Sequence, residues 1–317
     1  MSVVPQLVVF TDLDGTLLDD AYSAEAARRT LERLHGLGIP LVLVSSKTRA
    51  EMLPLRDLLA PGHPFVFENG CGIAVPPGCF DRSTMRPAPA LVRDAVDDDD
   101  ADAASPLPQD RIERFGPDYA ELRARLQRIR TDHGIPFRGF GDMSDAEVSK
   151  LTGLPLADAA RARLREASEP GLLDDAGVHQ PVLEEALAAF ELRAVQGGRF
   201  LCVMPRADKA IAMLALRARY GPDVRTIAAG DSANDLEMLR AADHAIAVRR
   251  PDGSALDFAH ADRRETELAG PAGWSRALDA LLDEYGLPRE PAAVDETDGP
   301  PAIADASDQD RAVGGER

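Results

Sequence analysis

The segment Phe10-Thr11-Asp12-Leu13-Asp14-Gly15-Thr16-Leu17, which continues the apolar run Leu7-Val8-Val9, constrains the fold more than any other stretch of the chain. A short run with no polar side, closed by a glycine turn, predicts a strand buried on both faces inside a parallel sheet. Ligands of α/β sheets gather beyond the carboxyl ends of the strands, which is where Asp12 and Asp14 stand. Residues i and i+2 of a strand share a face, so both carboxylates can reach one place. Held that close they repel unless a cation or a shared proton relieves them. The pair therefore points to a metal such as Mg²⁺. The competing reading, an acidic surface turn, sits poorly on a wholly apolar strand.

A second segment repeats the arrangement. Thr226-Ile227-Ala228-Ala229 predicts a strand, Gly230-Asp231-Ser232-Ala233-Asn234-Asp235 follows it, and Leu236-Glu237-Met238-Leu239 begins a helix. Asp231 is again a carboxylate at a strand's carboxyl end, suited to a further metal ligand. Asn234 and Asp235 fall at the start of the helix, a place that favours acceptors and anions. The two segments, in this order, resemble the first and terminal motifs of the haloacid dehalogenase superfamily of phosphotransferases.

Composition narrows the partners. With 317 residues, 44% of them hydrophobic, the chain is long enough for two domains with real cores. No apolar run reaches the roughly 18 residues of a membrane span, and no basic-then-apolar leader precedes the first strand. Cys71, Cys79 and Cys202 form no metal-binding spacing, and their odd number argues against a disulfide framework. Free thiols and a cytoplasmic location are the expectation. A net charge of −18 excludes nucleic acid and anionic membrane as partners. Lysine occurs only at Lys47, Lys150 and Lys209, so each is worth placing. The lysine-poor, Asp-rich and Ala-rich balance suits either a GC-rich genome or a saline cytoplasm.

The order along the chain predicts the fold class: α/β, a doubly wound parallel-sheet core with an inserted α+β cap. A helix over 24–37, a buried strand over Ile39–Val44, a helix over Arg49–Leu59 and a strand at Phe65–Phe67 give βαβαβ alternation. That alternation fades near residue 80. The expected division is core over 1–82, cap over 83–205, core again over 206–285 and an acidic disordered tail over 286–317. An acidic loop at about 93–108 carries Asp97 to Asp100 without the glycine and closing glutamate of a calcium loop. Within the cap, strands are expected at 111–115, at Val182-Leu183 and at 199–204, with helices at 119–133, near 145, at 156–167 and at 184–191. Ala245–Val248 is expected as the last core strand, followed by a closing helix from Trp274 to Tyr285.

The superfamily resemblance implies roles. Asp12 becomes the nucleophile that forms an aspartyl-phosphate, Asp14 the general acid and then base, and Asp12, Asp14 (through its backbone carbonyl) and Asp231 the Mg²⁺ ligands. Ser45 ends its strand where the superfamily places a hydroxyl against the phosphoryl oxygens; it could instead cap the following helix, as could Ser46 or Thr48. Lys209 stands where the superfamily has a lysine bridging nucleophile and phosphate, against the alternative of an exposed helix lysine. Asn234 and Asp235 are expected to orient metal-bound water or Lys209.

Further stretches narrow the resemblance. Val44-Ser45-Ser46-Lys47-Thr48-Arg49-Ala50-Glu51, Glu68-Asn69-Gly70, Gly139-Phe140-Gly141-Asp142-Met143, Leu151-Thr152-Gly153-Leu154, Ser168-Glu169-Pro170 and Gly197-Gly198-Arg199-Phe200-Leu201 resemble the mannosyl-3-phosphoglycerate phosphatase family over roughly residues 6–280. The resemblance implies hydrolysis of a small phosphorylated sugar-glycerate to mannosylglycerate, a compatible solute. Such a substrate carries a carboxylate that bidentate arginine suits, so Arg165 and Arg199 join Ser46, Lys47, Glu68 and Asn69 as candidate substrate contacts; either arginine could instead serve a surface ion pair. Cys71 and Ala210 stand where the family usually has glycine or alanine, and glycine, respectively. The rivals are another capped sugar phosphatase (glucosyl-3-phosphoglycerate, sucrose-6-phosphate or a hexose phosphate), a phosphomutase, and a catalytically silent phosphosugar sensor.

Overall fold

The computed structural model describes residues 6–80, 110–197 and 199–289. Strand β1 (Leu7–Thr11) is buried at all five positions, and its side chains divide by period two. Leu7 and Val9 enter a cluster with Leu34, Met52, Trp274 and Leu278. Val8 and Phe10 enter the opposite one, with Met213, Leu216, Met238 and Leu239. A strand whose two faces are both covered by helices needs an unbroken apolar run, which is what the sequence supplies.

Helix α1 (Arg28–Gly36), strand β2 (Leu41–Val44), helix α2 (Arg49–Leu59), and strands β3 (Phe65–Phe67), β4 (Gly72–Val75) and β5 (Arg111–Arg114) follow. An excursion comes next. It contains α3 (Tyr119–His133), β6 (Phe137–Gly139), α4 (Asp145–Thr152), α5 (Leu156–Arg163), β7 (Glu169–Leu173), α6 (Ala176–Ala188), β8 (Leu192–Gly197) and β9 (Phe200–Pro205). The chain then returns through α7 (Lys209–Tyr220), β10 (Arg225–Gly230), α8 (Leu236–Ala241), β11 (His244–Arg249), β12 (Arg263–Ala269) and α9 (Gly270–Glu284).

Two sheets result. The larger has the order β12-β11-β10-β1-β2-β3-β4-β5 and the smaller β6-β7-β9-β8. From β12 through β3 the pairing is parallel, and β4 and β5 add an antiparallel edge. β1 lies between β2 on one side and β10 on the other, so strand order reverses at the β1–β10 boundary. Crevices of doubly wound sheets open at such a reversal, and the loops bearing Asp12 and Asp231 leave from these two strands.

Several details differ from the sequence expectation. β5 lies within the stretch read as insertion, yet it pairs with β4 at the edge of the large sheet. Val182 and Leu183 belong to α6, not to a strand; Leu183 and Leu187, one helical turn apart, are its buried face. β11 is not the last core strand, because β12 pairs parallel beside it. Its sequence, RRETELA, buries only Thr266, so this edge strand carries no apolar signal. The acidic loop expected at 93–108 and the tail from 290 onward lie outside the described residues. Residues 287 and 288, at the start of that expected tail, offer their carbonyls to the buried Arg33 at 2.8 and 3.0 Å. Among the described residues, no helix is long and apolar enough to cross a membrane.

Candidate active site

Where β1 ends, the Asp12 amide donates to the Ala229 carbonyl at 2.9 Å, tying the first acidic loop to β10. The chain then reverses through Gly15, which has φ +77°, a conformation that L side chains rarely adopt. A Cβ on Gly15 would stand 2.9 Å from Asp231 Oδ2. Glycine is therefore required twice over, for the turn and for the approach of the two acidic loops. Asp12 is nearly buried at 6% exposure, whereas about half of the Asp14 side chain remains exposed and pairs with Lys47 Nζ at 2.9 Å.

Lys209 opens α7, whose N-terminus Asp208 caps by accepting from the Ile211 amide at 2.8 Å. Its Nζ donates to Asp12 Oδ1 and to Asp235 Oδ1, each at 2.6 Å. Asp235 is fully buried. Its other oxygen accepts from the Asp231 amide at 3.1 Å, the Ser232 amide at 3.0 Å and Ser232 Oγ at 3.2 Å. Asn234 receives Ser232 Oγ at 2.5 Å and donates from Nδ2 to Asn69 Oδ1 at 2.9 Å. Asp231 Oδ2 accepts from Arg250 Nε at 3.3 Å.

Electrostatics follow from this crowding. Burial, reinforced by Asp235, pushes the Asp12 carboxyl up to about 8, with Lys209 pulling the other way. Burial and Asp235 also raise Asp231, opposed by Arg250. Burial would lower the Lys209 ammonium, but Asp12 and Asp235 outweigh it and hold its value above the ordinary lysine range. Three carboxylates thus face one buried ammonium and one partly exposed guanidinium, a cluster short of positive charge.

The donor set fits a hard divalent cation. Asp12, Asp231 and Asp235 each bring an oxygen within 4.8 Å of the others. Asp231 Oδ1 is buried with no hydrogen-bond partner, an orphaned acceptor that costs free energy unless something binds there. Both Asp235 oxygens are already committed to Lys209 and to its own loop, so Asp12 and Asp231 are the members free to ligate.

The remaining expectations sort themselves by contact. Ser45 is 1% exposed and accepts from the Lys47 amide at 3.3 Å. It does not cap α2, because Thr48 does so in a reciprocal box with Glu51. Ser46 is exposed. Lys47 lies between Asp14 and the Tyr22 ring, 4.7 Å from its centroid; burial would lower its ammonium, but Asp14, together with Tyr22 and Glu51, raises it above its ordinary value. Arg165 does not stand free for a substrate carboxylate. Its guanidinium donates to Ser168 Oγ at 2.6 Å and lies 3.5 Å from Glu68 Oε2, with the Ser46 carbonyl at 3.4 Å. Arg199 is exposed and stacks over Phe200, 5.7 Å from its centroid. Phe200 in turn packs on Phe140 in the excursion's own apolar cluster, so no contact brings Arg199 to the acidic cluster among the described residues. Arg250, Ser232, Ser168 and Tyr22 touch this network and were not singled out in the sequence. Arg250 had a signal: it follows β11, at the same sheet edge as Asp12 and Asp231.

A family profile described as haloacid dehalogenase-like hydrolase matches residues 9–83 and 183–261. A relative from Methanococcoides burtonii, named glucosyl-3-phosphoglycerate/mannosyl-3-phosphoglycerate phosphatase, is 36% identical over 280 residues, 87% of this chain and 97% of its own. The chain belongs to the haloacid dehalogenase-like hydrolases. A second relative of the same name, from Persephonella marina, is 31% identical over 88% of this chain and 98% of its own. Among solved structures, Thermoplasma acidophilum 0175 matches with TM-score 0.57 at 17% identity, covering 88% of this chain and 98% of that one. The sucrose-phosphatase from Synechocystis, in complex with sucrose and phosphate, matches with TM-score 0.53 at 15% identity over 89% and 98%. At these identities the two structures speak to the fold alone. As a member of this family the chain is a phosphoric monoester hydrolase.

Proposed function

We propose that the chain hydrolyses mannosyl-3-phosphoglycerate to mannosylglycerate and phosphate, and that it accepts the glucosyl ester at the same site. The relatives named for both esters support the substrate; their similarity runs nearly the full length of both chains. The observation that carries the chemistry is Lys209, held at 2.6 Å from both Asp12 and Asp235.

In this reading Asp12 attacks phosphorus in line, a phosphorus–oxygen bond forms to its carboxylate, and the ester bond to the glycerate oxygen breaks. Asp14 gives that leaving oxygen its proton, then takes one from the water that cleaves the aspartyl-phosphate, so both carboxyls return to their starting states. The exposure of Asp14 suits a residue that must meet both leaving group and water. Lys209 fixes the orientation of Asp12 and, with the Ser45 hydroxyl, faces charge that spreads over the phosphoryl oxygens. The carboxylates of Asp12 and Asp231 and the backbone carbonyl of Asp14 would hold Mg²⁺, which would supply Lewis-acid stabilisation of that charge. Asn234 and Asp235 hold the loop of Asp231 and the Lys209 ammonium. Lys47, beside Asp14 and under Tyr22, is the cation best placed for the glycerate carboxylate, and the smaller sheet with its helices acts as the cap over the leaving group.

Phosphate release measured with Mg²⁺ on mannosyl-3-phosphoglycerate, glucosyl-3-phosphoglycerate, sucrose-6-phosphate and simple hexose phosphates tests the reading. A preference in kcat/KM for the two glycosyl-phosphoglycerates is expected. Equal rates across the panel would reduce the proposal to a general sugar phosphatase, and absence of release would remove it.

A further inference from the structure

The turn Glu68–Gly70 meets the loop after β2, the start of α7 and the loop of Asp231 and Asp235. Its backbone amides at Glu68 and Asn69 donate to the Lys47 carbonyl at 2.9 Å and the Ser45 carbonyl at 2.8 Å. Gly70, at φ +92°, lies so close to α7 that a Cβ would fall 2.0 Å from the Asp208 carbonyl. Asn69 Oδ1 receives Asn234 Nδ2 at 2.9 Å, and the same Asn234 receives Ser232, whose amide is bonded to Asp235.

The outward partner of this turn is the excursion. Glu68 is fully buried. Its Oε1 accepts from the Glu166 amide at 2.8 Å, and its Oε2 from the Ala167 amide at 3.1 Å and Ser168 Oγ at 2.6 Å. Arg165 Nε stands 3.5 Å from the same Oε2. A carboxylate with no exposure is tolerated only when its lone pairs are filled, and here every donor comes from residues 165–168. Glu68 and Asn69 also both take left-handed backbone, with φ +50° and +57°. Two successive non-glycine residues adopt that conformation only where surrounding contacts impose it.

We propose that Glu68 and Asn69 are positioning residues that couple docking of the 165–168 segment to the geometry of the catalytic cluster. Donors of that segment hold the Glu68 carboxylate, which holds the strained turn. The turn sets Asn69 against Asn234, and through Ser232 sets the loop of Asp231 and Asp235 and hence Lys209. Glu68 is on this account not a substrate contact, since neither oxygen is free for one. The assignment of a catalytic consequence rests on the phosphatase reading; the mechanical coupling does not.

Two measurements test it. Amide hydrogen exchange reads the coupling without any substrate. Glu68→Gln exchanges one acceptor oxygen for an amide donor facing N–H groups, and exchange should rise both at 166–168 and at the Asp231 and Ser232 amides. A rise confined to 166–168 would overturn the proposal. Kinetics on the preferred ester give the second readout. Glu68→Gln should lower kcat roughly tenfold while KM stays within about twofold, the size expected of a coupling residue. A rise in KM at unchanged kcat would make Glu68 a substrate contact, and a fall in KM with higher kcat would make it a competitor for the substrate's carboxylate; either overturns the coupling. Ser168→Ala and Asn69→Ala touch different partners, so a double-mutant cycle should show their losses to be non-additive. Simple additivity would refute the link through the turn.

Discussion

Lys209 Nζ sits 2.6 Å from Asp12 Oδ1 on one side and 2.6 Å from Asp235 Oδ1 on the other, with the whole side chain buried. One cation thus separates two buried carboxylates that would otherwise face each other in low dielectric. Replacing it by the near-isosteric Lys209→Met removes the charge and leaves both carboxylates without their partner. Turnover should fall by about 10²–10³, the loss seen when one preorganised electrostatic group is removed. Thermal stability should drop as well, and Asp235→Asn in the same chain should restore part of the stability but none of the turnover. Unchanged stability in Lys209→Met would mean that the two acids share a proton instead.

The raised Asp12 makes pH a direct probe of the cluster. Its folded value is about 8 against an ordinary carboxyl near 3.8, with burial and then Asp235 as causes. Between those values the folded state binds the extra proton. The stability this group contributes is complete below the unfolded value and is lost as pH rises through the folded one. The metal-free protein should therefore lose melting temperature toward pH 8 relative to Asp12→Asn, which has no proton to lose. A cation competes with that proton. Calorimetric titration with Mg²⁺ in buffers of different ionisation enthalpy should show tighter binding as pH rises and proton release below pH 8. Affinity that is flat with pH would place the cation away from Asp12.

Ser45 and Thr48 separate two effects that the sequence left open. Thr48 caps α2 in a box with Glu51 and also donates to the Arg161 carbonyl at 2.9 Å. Thr48→Ala should cost about 1 kcal/mol of stability, the usual price of a lost cap. Ser45→Ala should instead reduce kcat/KM on every phosphate ester alike, since its proposed partner is the phosphoryl group common to all. Denaturant unfolding and kinetics on two esters of different size check both, and a substrate-selective loss in Ser45→Ala would reassign its hydroxyl to the leaving group.

The sequence was legible where burial is two-sided or where chemistry is local. β1 and, after Arg225, β10 are buried along their length because helices cover both faces, and the acids at their ends stand out against that background. β12 was not legible, because an edge strand with one buried threonine has no period to read. Val182-Leu183 misled because two apolar residues fit a strand or a helix face equally well. For Arg165 a substrate contact and an ion pair both stayed open, because nothing in its own neighbourhood shows the Glu68 carboxylate that takes it. Such pairings across the fold have no local signature. Tyr22 escaped for the same reason, defined by a partner, Lys47, that the chain brings in from another strand end, whereas the place of Arg250 directly after β11 was a signal that could have been used.

Lys47 gives the sharpest test of how the leaving group is held. Its side chain is 11% exposed, pinned between Asp14 Oδ2 at 2.9 Å and the Tyr22 ring. Tyr22 is itself 54% exposed and left-handed at φ +59°, with its turn fixed by Asp19, whose Oδ1 accepts from the Ala21 and Ser23 amides at 2.9 Å. A cation fixed beside the proposed acid, under an open aromatic ring, suits a leaving group that carries both a carboxylate and a sugar. Lys47→Met keeps the aliphatic stem and removes the charge. It should raise KM for glycosyl-3-phosphoglycerates by roughly tenfold or more, as expected for loss of a charged hydrogen bond. A small ester lacking the carboxylate, such as p-nitrophenyl phosphate, should keep its KM. Loss of kcat on both esters alike would show that Lys47 serves Asp14 and not the substrate, since Asp14, unlike the glycerate carboxylate, is common to the two reactions.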